Sequence, residues 1–323
     1  MSATPLVSVI IPIYNVAPYL GQCLDSVIGQ SMRDLELICL NDGSTDESLA
    51  ILHEYAGRDA RIRVVDKKNS GYGHTVNLGM SMARGRYIGI VESDDFADPD
   101  MFATLVELAE GHELDLARCN FFRYSNLDGS AKEKELPDMP LDTVFTPLEY
   151  PQCFCQQPSV WANLYRTSFI RQHSIQFRET PGAAYQDLAF SFKVYLYARR
   201  FLMTPRPLLY YRVDNELASV KARDRVFSVV GEFAEVALFA EKLTVPENFW
   251  PYAVRAKFLS YTWNLRRLHK AEQKLFLRTA TREFRGHLLR GQIRRALYSK
   301  WQFRRLLKII FAPWLIRLEL RKR

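Results

Sequence analysis

Residues 87–100, YIGIVESDDFADPD, combine types and spacing that can do chemistry. A run of strand-forming residues, Tyr87, Ile88, Ile90 and Val91, ends in Glu92, Ser93, Asp94 and Asp95. Adjacent carboxylates repel and raise one another's pKa, so a fold that gathers them needs a positive partner. A hard divalent cation, Mg²⁺ or Mn²⁺, held by one or two carboxylates and substrate phosphates, is such a partner. The plain alternative is an acidic turn capping the next helix. Asp98 before Pro99 fits that duty, as an N-cap with proline in the first turn, whereas Asp94 and Asp95 do not share it.

A second polar cluster, NDGSTDES, spans Asn41 to Ser48. Ser44 and Glu47 have capping-box spacing, and Asp46 suits the positive first turn of a helix. Asp42 has no such duty. It stands at a strand's end, where a carboxylate can accept a hydrogen bond from a base N–H such as N3 of uracil.

The elements that must position these groups follow from periodicity. Strand patterns at 7–13, 35–40, 61–65, 87–91 and 114–119 alternate with helical ones at 19–28, 47–55, 75–83 and 99–109. That alternation implies βαβ units, and Val7 to Ile13 is a β-branched run suited to burial on both faces. Ligands of open α/β sheets bind outside the strands' carboxyl ends. Tyr14, Asn15, Asn41, Asp42, Asp94 and Asp95 all follow such ends. Residues 125–146 read as a loop or short hairpin, and LLYYRV at 208–213 as a short strand. From about Ala218 the pattern is helical.

The 323 residues have ordinary globular composition, with 48% hydrophobic and 25% charged. Five scattered cysteines, Cys23, Cys39, Cys119, Cys153 and Cys155, lack zinc-ligand spacing and imply a reducing, cytoplasmic setting. Met1 to Pro5 carries no basic stretch of a signal peptide, and no run approaches the ~18 apolar residues of a membrane span. Charge is uneven: residues 251–323 hold 20 Lys+Arg against 3 Asp+Glu, a balance of +17, leaving −9 for the rest. Such asymmetry implies an anionic partner for the tail, nucleic acid or a lipid surface.

Taken together, VSVIIPIYN, LICLNDGSTDES, NSGYGHTVNLG and GRYIGIVESDD occur in one order and register, and the chain resembles a family 2 glycosyltransferase. The resemblance covers roughly the first 215 residues. It implies a GT-A, Rossmann-like α/β fold with a mostly parallel sheet flanked by helices, and an α-helical C-terminal region over 216–323. It also implies an inverting mechanism, a nucleotide-diphospho-sugar donor (usually a UDP-sugar) and a divalent metal. Pro12 and Tyr14 would then lie beside the nucleobase, with Asp42 accepting from it. Gly71, Gly73 and Asn77 would approach the ribose and diphosphate, Asp94 the ribose or the metal, and Asp95 the metal. Tight-turn geometry is a second reason for the glycines. The GYGHTVN variant resembles that of bacterial surface-polysaccharide transferases.

Two departures stand out. Glu92 replaces the usual first Asp of the acidic motif, and Thr75-Val76-Asn77 lacks the usual arginine. His74, Arg84, Lys67 and Lys68 are candidates for the missing charge. The segment ETPGAAYQDLAF resembles the family's acceptor-side motif, which makes Asp187, preceded by Gln186 rather than Glu, the expected general base. PSVWANLYR resembles an acceptor-lining segment, with Trp161 stacking on a sugar or simply packing. YYRVDNELAS at 210–219 resembles a loop that closes over the donor. The Gln-x-x-Arg-Trp motif of processive synthases is absent, which points to one sugar per encounter.

The tail, WQFRRLLKIIFAPWLIRLELRKR, interleaves bulky apolar residues with Arg and Lys, as an amphipathic helix at an anionic membrane surface does, and Pro313 should bend or restart it. A packed terminal helix with a solvated basic side is the plain alternative, and no nucleic-acid-binding fold is recognisable. The expectation is therefore a cytoplasmic transferase, peripheral to the inner face of the membrane, acting on a glycan or lipid-linked glycan. A nucleotidyltransferase on a similar sheet and a non-catalytic membrane-bound scaffold with a vestigial nucleotide site remain as alternatives.

Overall fold

The computed structural model describes residues 4–136, 139–216 and 227–321. Its backbone divides into two units: Met1–Glu149 with Pro158–Glu216, and Tyr150–Gln157 with Leu217–Arg323. Tyr150–Gln157 therefore lies with the second unit, outside the expected 1–215 division.

In the first unit, β1 (Val7–Ile13), β2 (Leu35–Asn41), β3 (Ile62–Asp66) and β4 (Tyr87–Ile90) pair in parallel in the order β3-β2-β1-β4. Every residue of β1, β2 and β4 is buried, as continuous apolar runs require of strands covered on both faces. The crossovers are α1 (Ala17–Ile28), α2 (Ser48–Arg58) and α3 (Tyr72–Met82). On α1 the residues Leu20, Cys23, Leu24 and Val27 form one buried face. Parallel pairing puts the carboxyl ends of β1, β2 and β4 at one edge.

Past β4 the sheet is mixed. β8 (Asn163–Arg166) runs antiparallel to β4 and to β6 (Leu116–Tyr124), and β9 (Phe201–Arg212) runs parallel to β6. β5 (Phe96–Ala97) pairs antiparallel with β9, setting Phe96 opposite Tyr210. β7 (Ala131–Glu133) forms a hairpin arm on β6. The parallel pattern read from the first 120 residues thus covers β1 to β4, and the later pairings are antiparallel except that of β6 with β9. LLYYRV proves to be the end of a twelve-residue strand. Helices α4 (Met101–Gly111), α5 (Thr167–Gln172) and α6 (Gln186–Tyr197) complete the unit.

Two expected caps do not form. α2 begins at Ser48 without a side-chain cap. Ser44 Oγ accepts instead from Asn15 N at 3.1 Å, and Asp46 accepts from Ala17 N and Ser48 N, both at 3.0 Å. The loop after β1 competes for these acceptors and wins them. α4 begins at Met101, so Pro99 precedes it, and Asp98 Oδ1 accepts from Asp100 N at 3.0 Å in a local turn.

The second unit is helical: α7 (Ser228–Glu241), α8 (Phe249–Leu265), α9 (Lys270–Leu289), α10 (Lys300–Phe311) and α11 (Pro313–Arg321). Ser299 and Gln302 form a capping box at the start of α10, and Pro313 restarts the helix as α11. Among the described residues no helix is long and apolar enough to cross a membrane. All five cysteines are free, and four of them are buried, packing as small hydrophobes. The expected helix onset at Ala218 and the end of the 210–219 loop lie outside the described residues.

Candidate functional site

The chain leaves β4 and delivers Glu92, Asp94 and Asp95 to the carboxyl edge of the sheet. Asp95 is 1% exposed. Its Oδ1 accepts from the backbone N–H of Arg212 at 2.8 Å, and its Oδ2 is buried without a hydrogen-bond partner. Asp94 Oδ2 accepts from Asn215 Nδ2 at 2.8 Å. The buried Arg212 guanidinium donates to the Asp94 carbonyl at 2.7 Å and to Gln22 Oε1 at 2.6 Å, and lies 4.7 Å from the Tyr19 ring centre. Burial, then the charge of Asp94, holds the Asp95 carboxyl well above the usual carboxylate range. Glu92 accepts from Tyr72 Oη at 2.6 Å, and burial, reinforced by Asp94 and Asp187, pushes it up to about 8.

Asp187 stands in the first turn of α6, immediately after Gln186. Tyr185, just before the helix, is left-handed at φ 66°, a conformation that costs a non-glycine residue energy and tends to be kept at functional sites. Burial pushes Asp187 up to about 7, against backbone amides of the helix start that pull it down. Gln186 orders the turn ahead of it. Its Oε1 accepts from Ala184 N at 2.6 Å, and its Nε2 donates to Thr180 Oγ1 at 2.8 Å and Gly182 O at 3.1 Å. A glutamate could accept there but not donate. Asp187 lies with the strand-end carboxylates: burial raises the half-buried Tyr211 phenol, and the charges of Asp95, Asp94, Asp187 and Glu92 all add to the rise.

The residues expected on the nucleotide side divide. Tyr14, at the end of β1, is half exposed, whereas Pro12 is buried within the strand. Asp42 is 5% exposed and accepts from Lys67 Nζ, from Ser70 N at 2.8 Å and from Gly71 N at 3.0 Å. Three of its roughly four acceptor sites thus anchor the 67–71 turn, leaving about one for a base. The structure also settles the placement of the candidate cations. Lys67 bonds Asp42 and Thr75, Arg84 pairs with Glu36 at the opposite end of the strands, and His74 Nδ1 is buried without a partner.

Gly71 has φ 89°, and a Cβ on it would sit 2.5 Å from the Thr180 carbonyl; one on Gly73 would overlap the Arg178 carbonyl. The glycine turn is therefore docked against the segment that leads to Asp187, and Tyr72 N donates to Gly182 O at 3.0 Å.

Asn77 departs from expectation. Rather than pointing its amide at a ribose, it donates to Phe177 O at 2.9 Å and to Glu179 Oε1 at 3.0 Å, and accepts from Phe177 N at 2.8 Å. A partly buried amide facing an unpaired backbone saturates itself there. Trp161 is 5% exposed, stacked 5.0 Å from Tyr211 and edge-on to Phe121 at 4.6 Å. Packing, the alternative to a sugar platform, describes it. The sequence marks the segments that hold Arg212, Asn215 and Tyr72 without singling these residues out; the β5–β9 pairing that brings Arg212 in leaves no local sequence signal.

Among the described residues no group of three or more His, Cys, Asp or Glu side chains could hold a metal by itself. The residues nevertheless fit a cation that the oxygens of a bound ligand would help to hold. Asp95 Oδ2 is a buried, unpartnered carboxylate oxygen, and one or two such ligands suffice for Mg²⁺ or Mn²⁺.

Residues 8–178 match the Glycosyl transferase family 2 profile. The chain is 36% identical over 223 residues to the uncharacterized glycosyltransferase EpsJ of Bacillus subtilis (strain 168), covering 67% of this chain and 64% of that protein. The match thus spans a little under two thirds of that relative's length. S. aureus TarS 1–349 in complex with UDP-GlcNAc superposes with a TM-score of 0.56 at 19% identity, over 84% of this chain and 86% of that one. The mannosyltransferase PcManGT from Pyrobaculum calidifontis, in complex with GDP-Man and Mn²⁺, gives 0.58 at 17%, over 98% and 88%. At these identities the two structures speak to the fold alone.

Proposed function

The chain belongs to glycosyl transferase family 2, and from that premise we propose that it transfers one sugar per encounter, with inversion, from a nucleotide-diphospho-sugar. The donor is a UDP-sugar and the acceptor a hydroxyl of a lipid-linked glycan, in surface-polysaccharide assembly at the inner face of the membrane. The observation that carries this reading is the convergence of Asp187 with Glu92, Asp94 and Asp95 around Tyr211, at the carboxyl edge of the sheet. UDP-GlcNAc on TarS, and GDP-Man with Mn²⁺ on PcManGT, support a nucleotide-sugar and a divalent cation for this fold.

In the displacement, the acceptor oxygen attacks the anomeric carbon, the bond to the diphosphate breaks, and its electron pair leaves with the diphosphate. Asp187 takes the acceptor proton. Its carboxyl, raised to about 7, is near the value at which a base is both ionised and strong at neutral pH. Asp95, with Asp94, would hold the cation, whose charge offsets that of the departing nucleoside diphosphate. Tyr14 and the end of β1 at Pro12 would flank the base, and the remaining acceptor site of Asp42 would take its N–H. Gly71 would set the turn beside the diphosphate, with Lys67 as the nearby cation. Asn77 and Trp161 would serve as framework.

The test is a panel of UDP-, GDP- and dTDP-sugars with Mn²⁺, read by thermal shift and by sugar release without acceptor. Stabilisation and sugar release by one donor class are expected. Pyrophosphate release from a nucleoside triphosphate would indicate nucleotidyl transfer instead, and silence in both assays would leave only a scaffold.

A further inference from the structure

Helices α10 and α11 carry two apolar faces. One is spent in the fold: Leu306, Ile309, Ile310 and Ile316 are at most 1% exposed. The other is exposed: Trp301, Arg304, Leu307 and Phe311 on α10, and Trp314 and Leu318 on α11, each three or four residues after the last within its helix. Trp301, Phe311 and Trp314 are 54%, 64% and 60% exposed, whereas buried aromatic rings are the rule elsewhere in the chain. Within α10 that spacing keeps Trp301, Arg304, Leu307 and Phe311 on one side of the helix, and within α11 it does the same for Trp314 and Leu318. The pair is held in place from within, since Glu319 of α11 pairs with both Arg305 and Lys308 of α10.

The surroundings of this stripe are basic. Arg304 lies on it, Arg317 of α11 neighbours Trp314 at helical spacing, and the exposed Arg266, just past the end of α8, lies 6.0 Å from the Trp301 ring centre. The whole stretch 251–323 carries +17. Large aromatic rings with arginines between them suit the boundary of a bilayer: the rings enter at the level of the acyl–headgroup junction and the guanidiniums meet phosphates. A protein partner with a complementary apolar groove would not need so high a positive charge over so long a segment. A nucleic acid would not need so many exposed apolar side chains on these two helices.

We infer that the exposed face of α10–α11 is a peripheral docking surface for an anionic lipid bilayer. It rests on the transferase reading only for its purpose, which is to bring the enzyme to a lipid-linked acceptor; the surface itself is argued from the second unit alone.

The test is co-sedimentation of the full chain with phosphatidylcholine vesicles, with and without about one third phosphatidylglycerol. Binding to the anionic vesicles only is expected, with a blue shift of tryptophan fluorescence and weakening by salt. Phe311→Ser with Trp314→Ser should lower the partition at least roughly ten-fold, and Arg304→Gln or Arg317→Gln roughly five-fold each. All four positions lie far in sequence from the proposed site. Unchanged circular dichroism and soluble-donor hydrolysis in these variants would show that docking and chemistry fail separately.

The inference is overturned if wild-type chain ignores anionic vesicles, or if the double serine variant binds them as well as wild type. It is equally overturned if a single-stranded oligonucleotide displaces the vesicles at lower concentration, or if the stripe proves to join two copies, seen as a dimer that Phe311→Ser dissolves.

Discussion

The backbone N–H of Arg212 holds one oxygen of Asp95 at 2.8 Å, and the other oxygen of that carboxylate is buried and unpartnered. A buried acceptor left so costs about 1–3 kcal/mol, and more when it is charged. Arg212 lies on β9, more than a hundred residues after Asp95, so the second half of the sheet supplies the constraint. It fixes the carboxylate while leaving one oxygen to a ligand.

Asp95→Asn tests this arrangement in two directions at once. Without ligand the variant should be more stable than wild type at neutral pH, because burial holds this carboxyl well above the usual range and an amide has no ionisation for folding to oppose. Nucleotide binding should lose its dependence on metal. Calorimetry of UDP with and without Mn²⁺, beside a urea unfolding curve, measures both; equal metal enhancement in variant and wild type would remove Asp95 from the metal site.

Asp187 carries a pH signature. Its carboxyl is raised from 3.8 to about 7, so the form competent as a base fills only as pH climbs through 7. Turnover per unit substrate should fall about ten-fold per pH unit below that value. Folding favours the protonated form, so this group's contribution to stability is greatest at acid pH and declines as pH rises between 3.8 and about 7. Asp187→Asn should abolish transfer, keep nucleotide binding and flatten that part of the stability profile. Full turnover in this variant would refute the base assignment.

Gln186→Glu introduces the residue that the motif resemblance leads one to expect, yet it should harm this chain. The amide Nε2 donates to Thr180 and Gly182, and a carboxylate cannot. It would also set a second negative charge beside Asp187 and raise that carboxyl further. A stability loss of roughly 1–3 kcal/mol is expected, with the acid limb of the rate profile moved to higher pH. A profile that stays in place would argue that residue 186 does not sense the base.

Which of this was legible in the sequence depended on range. The strand ends that carry Asn41, Asp42, Asp94 and Asp95 follow from local apolar runs, and the parallel strands β1 to β4 follow from their alternation with helices. Asp187 was found through motif resemblance, since nothing local distinguishes it from an ordinary first-turn carboxylate. The capping pair Ser44 and Glu47 misled because the Asn15 amide of the β1 loop, distant in sequence, took the Ser44 hydroxyl as its acceptor. Arg212 was invisible for a related reason: its place depends on β5 pairing with β9, and mixed pairing has no local signature. Trp161 could be read as platform or packing until Tyr211 was found across its face.

Asn77 supplies the last prediction, because its amide joins α3 to the segment that positions Asp187. One side chain makes three hydrogen bonds across a hundred residues, two of them to Phe177. Asn77→Ala leaves the Phe177 N–H and C=O without those partners, at a cost of roughly 1–3 kcal/mol in unfolding free energy. The glycine turn, packed on residues 178–182, would loosen with it. The kinetic consequence should fall on kcat, through a misplaced Asp187, and leave the donor KM within about three-fold, since no donor contact is removed. Steady-state kinetics with urea unfolding separates the two roles. A large rise in donor KM at unchanged stability would restore Asn77 to the nucleotide pocket.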